Sequence, residues 1–191
     1  MSNFPLIAVT DSASCPRPLT LQIERLANYS TRPDAILLRA KDLRSAEYHV
    51  LALQMQKICT KHKIPLILHS DWQLAHELNI NKLHLPLPLL RTLPQAERNS
   101  FTWLSTSVHS ISEAQEAVSL GANILIAGHI YTTQCKAGLA PRGLNFLHDI
   151  CAAVTLPVYA IGGIDFSKTQ HKELAVNGAR GACVMSAYMK L

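Results

Sequence analysis

The chain is 191 residues long, 48% hydrophobic and 16% charged, with a formal net charge of +5 at pH 7. That is enough chain for one sizeable core and too little for two, and the apolar content excludes an intrinsically disordered protein. The basic residues are dispersed, with no concentrated face or binding motif, which argues against nucleic acid and suits a small anionic ligand.

In chain order, runs rich in Val, Ile and Leu occupy Leu6–Asp11, Ala35–Arg39, Leu66–Asp71, Lys82–Leu85, Thr102–Val108, Ile124–Tyr131, Pro157–Gly163 and Gly181–Ser186. Most are continuous rather than alternating, as parallel strands covered on both faces require. Helical spacing lies between them. Tyr48–Lys61 puts Leu51, Met55, Ile58 and Cys59 on one stripe, and Ile111–Leu120 and Leu144–Val154 repeat this on a smaller scale. Gly121 and Gly178 stand where a helix must turn into the next strand, and Pro65 and Pro157 open two strands at a position that tolerates a missing donor.

Such alternation fits either a (β/α)8 TIM barrel or a doubly wound open sheet. Eight strands favour a compact barrel with several helices reduced. After the last strand only Ala187–Leu191 remain, so the final helix is truncated, which could leave an apolar patch on the wall or at an oligomer contact. No linker, low-complexity tract or charge block interrupts the pattern, so residues 1–191 read as a single domain. No apolar run approaches the ~18 residues of a membrane span. Met1-Ser2-Asn3-Phe4-Pro5 lacks the pattern of a signal peptide, and the odd set of cysteines 15, 59, 135, 151 and 183, without a CxxC pair, reads as reduced thiols. A cytoplasmic protein without membrane partners is expected. An isologous homodimer is the default assembly for such a barrel.

Function in a parallel barrel gathers where strands run out into the following loops. Those ends carry Asp11, Arg39 with Lys41, Ser70 with Asp71, His84, Ser107 with His109, His129, Gly162 with Gly163, and Ser186. Any one of them reads equally well as a cap or a solvated surface group; their collection is what marks a site. Gly162-Gly163 after the seventh strand, beside Met185-Ser186-Ala187 after the eighth, matches the recurrent phosphate cradle of these barrels. His129 ends the sixth strand, where an imidazole can move a proton near neutral pH. Lys136 can face an anion from the next loop, and Arg39 with Lys41 offer paired cations for a carboxylate or phosphate. Cys135 beside Lys136 could be an activated thiol, but no partner base is evident and a structural role is expected. His69, His84, His109 and His129 come from four strand ends without ligand spacing, so no metal is expected.

Ser107-Val108-His109-Ser110, Gly128-His129-Ile130-Tyr131 through Cys135-Lys136-Ala137-Gly138, Ile161-Gly162-Gly163-Ile164 and Val184-Met185-Ser186-Ala187 together resemble the thiamine phosphate synthase/TenI superfamily. The resemblance runs from Val9-Thr10-Asp11 to Ser186. Its synthase branch couples a pyrimidine diphosphate to a thiazole phosphate with magnesium held by carboxylates after strands three and four. The corresponding positions here are His69-Ser70 and Leu89, with Asp71 one place further on, and the synthase's Gln-Leu-Arg-Glu-Lys segment has become Leu37-Leu38-Arg39-Ala40-Lys41. The Gly-His pair and Cys-Lys-x-Gly match the TenI branch of thiazole tautomerases instead. That branch aromatises a thiazole phosphate carboxylate tautomer by a proton shift without metal or cofactor.

The resemblance thus implies a small-molecule phosphate ester as the partner and His129 as the proton carrier. Ser107, Gly162, Gly163 and Ser186 would bind the ligand, with Arg39, Lys41 and Lys136 as counter-charges. The alternatives are a magnesium-dependent thiamine phosphate synthase and a non-catalytic binder of thiazole or thiamine phosphates.

Overall fold

Short apolar strands alternating with helices close on themselves in the computed structural model, which describes residues 4–191; Met1–Asn3, part of the segment read against a signal peptide, lie outside the described residues. The strands are β1 Leu6–Val9, β2 Ala35–Leu38, β3 Leu66–His69, β4 Lys82–Pro86, β5 Trp103–Val108, β6 Ile124–Gly128, β7 Val158–Ile161 and β8 Gly181–Val184. Each pairs in parallel with the next, and β1 pairs with β8 through Leu6↔Ala182 and Ile7↔Cys183. The open-sheet alternative is thereby removed: this is a (β/α)8 barrel. Every predicted apolar run coincides with one strand, β4 reaching one residue further to Pro86, but most strands stop short of the polar residues that end the runs. Those residues belong to the loops, where a site needs them.

The helices are α1 Leu19–Ala27, α2 Ser45–His62, α3 Trp72–Glu77, α4 Leu87–Thr92, α5 Gln95–Arg98, α6 Ile111–Ser119, α7 Gly143–Ala153, α8 Lys168–Val176 and α9 Ser186–Met189. The short chain closes a full barrel because α3 and α4 are only 6 residues each and α5 only 4. No helix among the described residues is long and apolar enough to cross a membrane.

Alternate residues of each strand feed two layers. Ile7, Val9, Leu37, Ile67, Ile126 and Tyr159 fill the barrel, while Leu6, Ala8, Leu38, Leu68, Leu83 and Leu104 pack outward under the helices. Both faces of every strand are therefore covered, which is why the runs read as continuous rather than alternating. Leu38, Leu68, Leu83 and Leu104 have no exposed surface. Truncating any one to Ala would cost about 2–5 kcal/mol.

The residues of the helix after β8 are not left bare. Tyr188 and Met189 of α9 are fully buried. Gln22 of α1, itself without exposed surface, donates from Nε2 to the Tyr188 carbonyl at 2.5 Å, and Arg17 Nη1 donates to the Leu191 carbonyl at 3.0 Å. This polar clamp sets α9, and with it Ser186, at the mouth of the barrel.

Candidate functional site

The C-terminal ends of β2 and β5–β8 surround a cavity of about 510 Å³. Its walls include Arg39, Ser107, His109, His129, Lys136, Gly162, Gly163 and Ser186, so seven of the eight residues predicted for the site (all of these but His109) meet there. Lys41 does not: it is exposed in the turn after β2 and does not line the cavity. Two-residue spacing would put it beside Arg39 on a strand, but β2 ends at Leu38 and the alternation ends with it.

The glycine turn is shaped around its neighbours. Gly162 and Gly163 have φ of +103° and +67°, conformations that L side chains rarely adopt. A Cβ on Gly162 would collide with His129 Cβ, and one on Gly163 would collide with the Thr132 carbonyl and Tyr131 Cβ. The turn is pinned by Ile130 N donating to Ile161 O at 2.9 Å and Tyr131 N donating to Gly162 O at 3.0 Å. The amide hydrogens of Gly162 and Gly163 meet no acceptor among the described residues.

His129 stands directly over this turn. Its Nε2 is shielded from solvent and has no hydrogen-bond partner among the described residues. An unpaired buried imidazole nitrogen costs on the order of 1–3 kcal/mol.

A second imidazole lines the same cavity. His109 Nδ1 lies 2.7 Å from the Gly128 carbonyl, which can only accept, so Nδ1 carries a proton and donates it there. Its main chain is fixed by Glu113, whose Oε2 accepts from His109 N at 2.6 Å, while Ser110 Oγ caps α6 by accepting from Glu113 N at 3.1 Å. The Ser-x-x-Glu spacing of a capping box foreshadows this arrangement. His109 stands among the strand-end residues in the sequence, yet nothing there sets it apart from a loop histidine. Lys190, just beyond α9, also lines the cavity, and only the folded tail brings it there.

Arg39 is held from two sides. Thr10 Oγ1, fully buried, exchanges hydrogen bonds of 2.8 Å with the Arg39 amide and carbonyl, and Asp11 Oδ1 accepts from Arg39 Nη1 at 3.0 Å. Part of the guanidinium charge is thus already balanced. Lys136 and Cys135 lie exposed on a 3-10 turn, Gln134–Lys136, that overhangs the cavity. Cys59, Cys151 and Cys183 are held as thiols: burial pushes Cys59 up to about 12 and Cys151 to about 11, and raises Cys183 further.

The β3–β4 side of the mouth is different. His84 is fully enclosed, and burial, then the nearby His69 and Lys41, push its pKa down to about 3. His69, its rings 5.4 Å from those of His84 between centroids, is lowered to about 4 by burial, then by Arg39 and Lys41. Both are neutral at physiological pH.

Comparison with known proteins fits this geometry. The model of the family described as thiamine monophosphate synthase, TMP-TENI, matches residues 6–188. The chain belongs to this family. The thiamine-phosphate synthase of Syntrophomonas wolfei is 30% identical over 195 aligned positions, covering 98% of this chain and 90% of that one. That of Listeria monocytogenes serovar 1/2a is 35% identical over 148 positions, or 75% of this chain and 68% of the relative. Among solved structures, thiamine phosphate pyrophosphorylase from Pyrococcus furiosus superposes with a TM-score of 0.77 at 24% identity, covering 97% of this chain and 87% of that one.

The magnesium that the synthase resemblance calls for does not find a matching donor set here. Asp71 Oδ1 caps α3, accepting from Leu74 N at 2.9 Å. Asp11 is paired with Arg39, and Asp165 Oδ1 accepts from Ser167 N at 2.7 Å. Leu89 is exposed on α4, and no three His, Cys, Asp or Glu side chains among the described residues converge as a metal cluster. Magnesium bridging phosphates wants carboxylate oxygens; the two positions that the resemblance assigns to metal carboxylates hold Ser70 and Leu89, and each of these acids already has one oxygen engaged within the protein.

Proposed function

We propose that this family member is a thiazole tautomerase-like enzyme of thiamine biosynthesis, acting on a thiazole phosphate carboxylate by a metal-independent proton shift. The observation that carries this reading is His129, which lines the cavity and whose buried Nε2 has no partner among the described residues, above a glycine turn whose amides meet no acceptor among them. In the reaction one C–H bond of the non-aromatic tautomer breaks and another forms at a second carbon. The electron pair left behind enters the ring, no oxidant or reductant is needed, and aromaticity drives the shift. His129 takes the proton and returns it, acting as general base and then as general acid.

The phosphate is assigned to the amides of Gly162 and Gly163 with Ser186 and Lys190, where positive charge and backbone donors meet. Arg39, its charge half-balanced by Asp11, and Lys136 on the overhanging turn offset the substrate carboxylate. Lys41, exposed away from the cavity, contributes only to the long-range field.

The second reading is a thiamine-phosphate synthase, a transferase. It is favoured by the names of the relatives, which are synthases rather than tautomerases. Ser70 and Leu89 in place of carboxylates, with Asp71 serving as a helix cap, weigh against it. Purified protein assayed on the thiazole tautomer, and separately on pyrimidine diphosphate plus thiazole phosphate with magnesium, decides between them. Coupling without tautomerisation would establish the synthase.

A further inference from the structure

A line of polar side chains runs along β5, by way of His84 on β4, to the cavity wall, and the proposed reaction makes no use of it. Trp103 Nε1 donates to Ser105 Oγ at 3.0 Å. Ser105 Oγ lies 3.0 Å from His84 Nδ1, and His84 Nε2 lies 3.2 Å from Ser107 Oγ. Ser105 has no exposed surface and His84 only 4%, whereas Ser107 lines the cavity. Polar residues this deep in a barrel need complete partnering.

Counting protons fixes the direction of the line. An indole N–H only donates, so it occupies one lone pair of Ser105. The single Ser105 hydroxyl proton then has two acceptors in reach, His84 Nδ1 at 3.0 Å and the Leu83 carbonyl at 3.4 Å. The latter is at the limit of a hydrogen bond, so the proton goes to His84. Burial keeps His84 neutral, with its pKa pushed down to about 3. With Nδ1 accepting, its one proton sits on Nε2 and is donated to Ser107. The Ser107 oxygen is thereby engaged as an acceptor, and its own proton is left for the cavity.

We propose that Trp103, Ser105 and His84 make Ser107 a fixed hydrogen-bond donor to the ligand, so that this wall of the site selects an anionic oxygen. His84 is a positioning residue that acts through Ser107. The inference rests on the reading that the cavity takes an anionic thiazole ester, and it specifies which wall reads an oxygen and how.

Long-range 15N–1H NMR of the histidine rings in the unliganded protein tests the wiring without any substitution. The expected result is a neutral His84 protonated at Nε2, its signal assigned by its loss in His84→Gln; protonation at Nδ1 would overturn the proposal. Calorimetry with the aromatic thiazole phosphate carboxylate, and with the same thiazole phosphate lacking the carboxylate, tests the consequence. Ser107→Ala should weaken binding about tenfold, as loss of a hydrogen bond to a charged group does. A loss with both ligands assigns the oxygen to the phosphate, a loss with the first alone assigns it to the carboxylate, and no loss with either overturns the proposal. His84→Phe should weaken binding similarly in the parent and by less than about twofold on top of Ser107→Ala. An equal cost in both backgrounds would show that His84 does not act through Ser107. If the parent protein binds neither ligand, the proposed function fails, while the tautomer measurement still decides the wiring.

Discussion

The two sides of the barrel mouth are built from the same kind of strand and end in opposite chemistry. On the β5–β8 side, strands run into residues with unspent valence: free glycine amides, an unpaired His129 Nε2, and a His109 with one nitrogen committed and one not. On the β3–β4 side the polar groups turn mostly to one another or to a helix end. His69 Nδ1 pairs with Ser70 Oγ at 2.6 Å, His84 is bonded at both nitrogens, and Asp71 caps a helix. A site that coupled two phosphorylated substrates would need both sides chemically open. A site that moves a proton within one substrate needs only the first.

Substitutions that treat the two sides differently can break or sharpen this contrast. The largest effect is expected at His129. His129→Ala should lower turnover on the thiazole tautomer by about 10²–10⁴-fold, the usual worth of a positioned acid–base group. Affinity for the aromatic product, measured by calorimetry, should change little. Loss of binding in step with turnover would make His129 a ligand-holding residue instead.

Next comes the glycine turn. Gly162→Ala places a methyl against His129 Cβ at a φ of +103°. Urea unfolding should show a loss of about 1–3 kcal/mol, with phosphate-ester affinity falling more than about tenfold. On the other side, Ser70 also has a positive φ, +69°. Ser70→Gly should leave ligand affinity unchanged, because nothing there holds the ligand.

Acid is expected to act on stability, through the β3–β4 histidines. His69 and His84 have folded pKa values of about 4 and about 3, below the ordinary 6.5. Below pH 6.5 the unfolded chain therefore binds protons that the folded chain refuses, and stability falls with pH until the folded values are reached. The slope is at most about 1.4 kcal/mol per pH unit for each histidine. Urea midpoints between pH 6.5 and 4 should fall less steeply in His84→Phe than in the parent.

The smallest expected effect is at Asp71. Asp71→Ala should cost only the helix cap, about 1 kcal/mol in urea unfolding. Turnover and its response to added magnesium should not change, whereas a magnesium-dependent loss would reopen the β3–β4 side as a metal site.

Much of this was legible in the sequence because it rests on local rules. Continuous apolar runs marked each strand, and the polar residues ending them fell at the mouth, as barrel topology demands. Gly162-Gly163 and His129 were readable because their place in the strand count fixes their place in space. Lys41 misled because a strand period was extended past the end of β2. Lys190 was hidden because the clamp of Gln22 and Arg17 on the chain's end pairs residues 166 or more apart. The neutral state of His84 was hidden for a similar reason: it comes from burial inside the barrel and from His69 and Lys41 on other parts of the chain, which sequence spacing does not place against it.

The most direct test of the central claim is turnover of the thiazole phosphate carboxylate tautomer by the purified protein, with a chelator and with excess magnesium. The account predicts aromatisation at the same rate in both. It is contradicted if the tautomer is left unchanged while magnesium supports the joining of pyrimidine diphosphate to thiazole phosphate.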